Sequence, residues 1–172
     1  MNTRFILKPG KNNGNYSIHR KLNESNINER ATYTIYGAHL KFGVEKYNNN
    51  HILNAILYET NNSTYNIIVT LERIVNTFTN MGKHEVYAKK YNLENKTFFS
   101  FIKNNTLDPQ NKQYIIRLYL KRGCKIINSN KEIISSDQIK NKFCNIEIEV
   151  GSLWSANNLY GLNVYATEIK LN

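Results

Sequence analysis

The chain has 172 residues, 41% of them hydrophobic and 12% aromatic, and a formal charge of +10. That length closes a hydrophobic core without disulfide or metal staples, and that composition excludes a disordered chain. Two prolines and 8 glycines exclude collagen-like and linker-like sequences, and the 29 asparagines read as the coding bias of an AT-rich genome.

The charge is unevenly spread. Residues 1–21 carry five basic side chains (Arg4, Lys8, Lys11, Arg20, Lys21) and no acid. Residues 83–125 carry ten basic against three acidic, whereas 22–82 and 126–172 each carry a net −1. Clustered Lys and Arg exchange condensed counterions on a phosphate backbone, so a polyanion partner is the physical expectation, set against a merely solvated basic surface.

In chain order, residues 8–30 are polar and turn-rich, with Asn13-Gly14 a tight-turn candidate, and make a basic arm over residues 1–30 of one domain spanning 1–172. Tyr33 and Ile35 alternate with threonines. After Gly37 the apolar set changes parity to Leu40, Phe42 and Val44, which predicts a bulged strand. Asn48-Asn49-Asn50 reads as a turn and 51–60 as the return strand. Tyr65, Ile67, Val69 and Leu71 predict a third strand reaching Phe78, followed by a loop over 80–83. Short strands are expected at 85–91 and 96–103, a long one at 113–121, and a resumption at 124–128 after a break at Gly123. Ser135-Ser136-Asp137 caps a single helical turn, and strands at 143–150 and 159–171 finish the chain. No segment shows a sustained helical apolar face, so long amphipathic helices are not expected.

Motifs for catalysis are missing. His19, His39, His51 and His84 share no metal-ligand spacing with each other or with Cys124 and Cys144, and no phosphate loop or dinucleotide fingerprint occurs. Glu147 and Glu149 alternate with Ile146, Ile148 and Val150, which marks a solvated strand face better than a nuclease metal pair. A non-enzymatic protein without cofactor is expected. The isolated cysteines predict free thiols in a reducing compartment, and no run has signal-peptide or membrane-span length. The setting read from this is intracellular, without a membrane partner, in cytoplasm or nucleus of a host cell if the chain is viral.

The strand at 113–122 is the informative one. Tyr114, Ile116, Leu118 and Leu120 share the core face, while Arg117, Tyr119 and Lys121, followed by Arg122, share the other. A guanidinium, a phenol ring and an ammonium together offer phosphate contacts and a stacking platform. Lys89 and Lys90 before Tyr91, and Lys96 before Phe98, Phe99 and Phe101, repeat the mixture without settling which phenylalanine faces out. Tyr36, His39 and Lys41 extend the same face or lie near the bend at Gly37.

The segment Gly151-Ser-Leu-Trp154-Ser-Ala-Asn-Asn-Leu-Tyr160-Gly161, with the alternating strand after it, resembles the closing hairpin of virus- and phage-encoded single-stranded DNA-binding proteins of OB-fold type. That resemblance covers about 20 residues. It implies an all-β or β-rich OB-like Greek-key barrel with one or two short helices, with Trp154 and Tyr160 as base-stacking or groove-wall residues. It also implies that Gly161 permits close packing. The function so implied is single-stranded DNA binding in replication or recombination of a viral or mobile element, DNA in preference to RNA, with homo-oligomers possible. Lys89, Lys90, Arg117, Lys121 and Arg122 would meet phosphates, Tyr119, Trp154 and Tyr160 would stack, and Lys41 would extend the nucleic-acid-binding face. The alternative is a β-sandwich virion component whose basic N-terminal arm contacts packaged genome.

Overall fold

Burial in the segment 62–83 falls on Thr64, Ile67, Ile68, Leu71, Ile74 and Phe78, a spacing of three and four that only a helix presents on one side. The expected strand at 65–78 and loop at 80–83 are therefore one helix, α1 (Asn62–Lys83). Thr70 and Thr77 donate their hydroxyls to the carbonyls four residues back, both at 2.8 Å, so β-favouring side chains sit in the helix without orphaned polar groups. The expected strand at 85–91 is also a helix, α2 (Glu85–Tyr91), closed by Asn92 in the left-handed region at φ 55°.

The computed structural model describes residues 4–10, 15–21, 28–60, 62–107 and 110–172. The Asn13-Gly14 turn lies outside the described residues. The strands are β1 (Arg4–Pro9), β2 (Tyr16–Lys21), β3 (Asn28–Leu40), β4 (Val44–Tyr47), β5 (Asn50–Tyr58), β6 (Thr97–Phe99), β7 (Ile102–Asn104), β8 (Gln113–Ile127), β9 (Lys142–Ala156) and β10 (Leu159–Leu171). A 3-10 turn spans Ser136–Ile139, where a helical turn is expected.

Five strands close a ring: β3 pairs β5, β5 pairs β8, β8 pairs β10, β10 pairs β9, and β9 returns to β3. All pairings in the ring are antiparallel except β8 with β10. Numbered along the chain, the ring runs first, second, third, fifth, fourth, first, which is the partly open Greek-key barrel of the OB-fold. The closure is thin, since β3 meets β5 only at His39 opposite Ile56. The described strands form one continuous sheet rather than the two facing sheets of a sandwich.

The barrel interior holds Ile35, Leu40, Leu53, Leu57, Ile116 and Leu118 from β3, β5 and β8, all at 0% exposure. Ile146, Ile148, Val150, Val164, Ala166 and Ile169 complete it from β9 and β10. The apolar face of α1 joins the same cluster. The register of β3 against β9 slips between Ile35 and Ala38, and Gly37 takes φ +65° there, so the parity change in the sequence is a bulge. Gly123 does not end its strand: β8 runs through it to Ile127, with a register shift against β10 over the same stretch.

Residues 4–9 and 16–21 of the expected arm form the β1–β2 hairpin. Tyr16 opposite Leu153 and Ser17 opposite Ser152 place this hairpin on the edge of β9, with Ile18 buried. Among the described residues no helix is long and apolar enough to cross a membrane.

Candidate nucleic-acid interface

Side chains opposed across a sheet share a face, so the outer wall of the barrel can be read from strand register. One row runs Ile52, Tyr119, Tyr165, Glu149 and Thr32 across β5, β8, β10, β9 and β3. Asn54 and Arg117 are opposed in the next row, and Arg117 is exposed. The rings of Tyr119 and Tyr165 lie 6.1 Å apart, tilted by 47°. Tyr165 lies across Gly151, where a β-carbon would come within 2.6 Å of the ring.

The wall continues along β10. Gly161 is opposed by Trp154 on one side and by Phe99 on the other. A β-carbon on Gly161 would meet Trp154 Cζ2 at 2.8 Å, so the indole packs directly against the glycine, the close packing expected of that residue. Phe99 is 38% exposed, and the Lys103 ammonium stands 5.4 Å from its ring centroid. Between the two aromatic groups Asn163 donates its amide to Ser152 Oγ at 3.0 Å. Tyr165 lies four positions after Gly161, about 13 Å along the strand.

The charges on this wall are partly tied. Lys121 Nζ donates to Glu149 Oε2 at 2.5 Å, and Arg30 Nη1 donates to the same oxygen at 2.9 Å. Burial acts to raise the Glu149 carboxyl, but the hydrogen bonds and charges of Lys121 and Arg30 hold it below its ordinary value. Arg117 and Arg122 are exposed, and among the described residues neither pairs with a carboxylate. The outer position expected for Glu147 and Glu149 is found. Glu149 is engaged by two cations, and among the described residues no His, Cys, Asp or Glu group has the makings of a metal site.

Several candidate residues sit elsewhere. Tyr160 is 2% exposed, its ring edge-on to Phe98 and its hydroxyl donating to the Phe78 carbonyl at 3.1 Å. It anchors α1 to the barrel and cannot stack on a base. Trp154 stands inside β9, which runs on to Ala156, and not in a turn. It is half-buried, with part of its indole packed on Gly161. Lys89 and Lys90 ride on α2 rather than on a strand. Lys89 is paired with Glu85 at 2.7 Å, and Lys90 lines a cleft with residues of β1. Lys41 lies in the β3–β4 turn with its ammonium 5.6 Å from the Phe42 ring centroid. Nearby on β3, His39 stacks on Phe143 with ring centroids 4.5 Å apart.

The wall also holds residues that the sequence reading leaves out or leaves open: Tyr165, Phe99, Lys103 and Arg30. Parity from Leu162, Val164 and Ala166 places Tyr165 outside. The three phenylalanines at 98, 99 and 101 sort only once Phe101 is seen buried and Phe98 packed on Tyr160.

No family model matches the sequence, and no curated protein matches it. Solved structures do share the fold. Gp2.5, a single-stranded DNA binding protein encoded by bacteriophage T7, aligns with a TM-score of 0.55 at 9% identity over 83% of this chain and 91% of its own. A C-terminally truncated single-stranded DNA-binding protein from bacteriophage Enc34 aligns with a TM-score of 0.54 at 14% identity, covering 96% and 92%. At these identities the likeness is one of fold.

Proposed function

We propose that this chain binds single-stranded DNA, without catalysis, during replication or recombination of a viral or mobile genome. The observation that carries the reading is the outer wall of β5, β8, β10 and β9. Tyr119 with Tyr165, and Trp154 with Phe99, form two aromatic groups on one face, flanked by Arg117, Lys121 and Lys103, with the exposed Arg122 next along β8. An OB-fold uses this second-and-third-strand face and its flanking loops for oligonucleotides, and Lys41 and Phe42 lie in one such loop. Two proteins of the same fold are single-stranded DNA binders, which agrees with the reading.

Bases stack on the rings while the cations neutralise phosphates, so binding tolerates any sequence and weakens as salt rises. Fluorescence anisotropy with an oligo-dT strand, a matched duplex and an oligo-U strand at two salt concentrations tests this. The single strand is expected to bind at least tenfold more tightly than the duplex, with DNA ahead of RNA. The double variant Arg117→Ala, Tyr119→Ala is expected to lose most of the affinity. Equal affinity for single strand and duplex, unchanged in that variant, would overturn the reading.

A further inference from the structure

A cleft of about 980 Å³ opens between the β1–β2 hairpin and the two helices, away from the aromatic wall. One side is built from four consecutive residues, Arg4, Phe5, Ile6 and Leu7. Successive side chains of a strand point to opposite faces, so a lining that takes four in a row is presented by the strand's edge, backbone included. β1 ends the sheet, and among the described residues it pairs with β2 alone. The other side is α1 and α2, with Met81, His84, Tyr87 and Tyr91 facing the edge.

Among the described residues, every charged side chain lining the cleft is basic: Arg4 and Lys21, opposed across the hairpin, and Lys90 on α2. Glu85, on the same helix, is engaged by Lys89 at 2.7 Å and is not among the lining residues. Tyr87 is 46% exposed with its ring 5.0 Å from His84, so the floor offers aromatic surface beside the cations. A strand edge that no described residue pairs, facing an apolar floor and flanked by cations, is suited to an added strand that carries acids.

We propose that this cleft docks an extended acidic segment of a partner protein, which adds as a strand to the free edge of β1. Its carboxylates meet Arg4, Lys21 and Lys90, and an apolar side chain between them rests on Tyr87 and Met81. The complementarity argues for a peptide over a nucleic-acid strand, because a free backbone edge rewards main-chain hydrogen bonding that a phosphodiester chain does not offer.

The test uses the full chain and a fluorescein-labelled octapeptide alternating Glu or Asp with Val or Phe. Its controls are the same peptide with Lys at each acidic position and the same peptide N-methylated at alternate backbone amides. Micromolar binding of the acidic peptide is expected, with NMR shifts at Phe5–Leu7 and Tyr87–Lys90. The N-methylated and lysine peptides are expected to bind at least tenfold more weakly. The double variant Lys21→Glu, Lys90→Glu is expected to lose the peptide at least tenfold while keeping its thermal unfolding and its oligo-dT affinity. If that variant does not fold, the three peptides on the unaltered chain decide. Equal binding of the N-methylated peptide, or no shift in β1, would overturn strand addition. Displacement of the peptide by oligo-dT, with shifts at the same amides, would assign the cleft to nucleic acid instead.

Discussion

Tyr165 rests on Gly151 so closely that a β-carbon on that glycine would come within 2.6 Å of its ring. The glycine thus sets the height of one half of the Tyr119–Tyr165 pair above the sheet. Gly151→Ala is expected to lift or rotate Tyr165 and to break the pair, since the contact is with a rigid ring. Stability should fall by about 1–3 kcal/mol, the usual cost of overpacking. Single-strand affinity should fall by roughly 5- to 100-fold, which corresponds to one lost stacking contact of about 1–3 kcal/mol. Thermal unfolding and anisotropy with oligo-dT measure the two effects. A variant that binds as the parent does would take Tyr165 out of the binding path.

Glu149 is the acid that Lys121 and Arg30 share on the wall, and it is expected to restrain binding. Glu149→Gln frees Lys121 and Arg30 from a shared carboxylate. Oligo-dT affinity should rise, with the slope of log K against log salt steepening by about 0.7 for each cation that gains a phosphate. The same change removes a stabilising carboxylate. Because Glu149 has a folded value held below its ordinary 4.5, its contribution is complete above that value and is lost as pH falls through the folded one. The variant should therefore unfold at a lower temperature at pH 7 by roughly 2–8 °C, equivalent to about 1–2 kcal/mol once partial exposure is allowed for. At pH 3 the gap should narrow. A gap that widens on acidification would contradict the assignment.

These contacts also show what the sequence could disclose. Strands with one face in the barrel were legible by period two, as in Ile116 with Leu118 and Ile146 with Ile148, and Gly37 marked its bulge by a parity change. Helix α1 was not legible, because Tyr65, Ile67, Val69 and Leu71 alternate and are rich in β-branched types. Burial at 64, 67, 68, 71, 74 and 78 overrides that local preference. Of the candidate site, Arg117 and Tyr119 were visible as the outer side of a strand. That Lys121 is neutralised by a carboxylate 28 residues away depends on which strands meet, and composition holds no trace of it.

Both thiols are expected to be inert in the native protein. Burial pushes the Cys144 thiol up to about 12, and burial with the Glu168 charge pushes Cys124 up to about 11. At pH 8 the thiolate fraction of Cys124 is then roughly one in a thousand, and the thiolate is the reacting form. An aromatic disulfide reagent should report almost no fast thiol at pH 8 and two after unfolding in guanidinium. Rapid labelling of Cys124 in the folded chain would show that β8 opens near Gly123.

Tyr160 and Trp154 separate support from contact. The Tyr160 hydroxyl donates to the carbonyls of Phe78 and Thr79, at 3.1 and 3.3 Å, from a buried site. Tyr160→Phe keeps the ring and deletes that bond, at a cost of about 1 kcal/mol, or roughly 2–4 °C in unfolding temperature. Its oligo-dT affinity should match the parent, because the ring does not reach the surface. Trp154→Ala should do the reverse. The indole covers Gly161 from the outer face, so its loss exposes backbone without opening the core, and the larger effect falls on binding, roughly 5- to 100-fold. Intrinsic fluorescence gives a second reading, since Trp154 is the one tryptophan of the chain. Oligo-dT should quench it in the parent and in Tyr160→Phe alike. Unquenched emission at saturating oligonucleotide would place the strand's path away from the Trp154–Gly161 end of the β9–β10 hairpin and confine it to Arg117, Tyr119 and Tyr165.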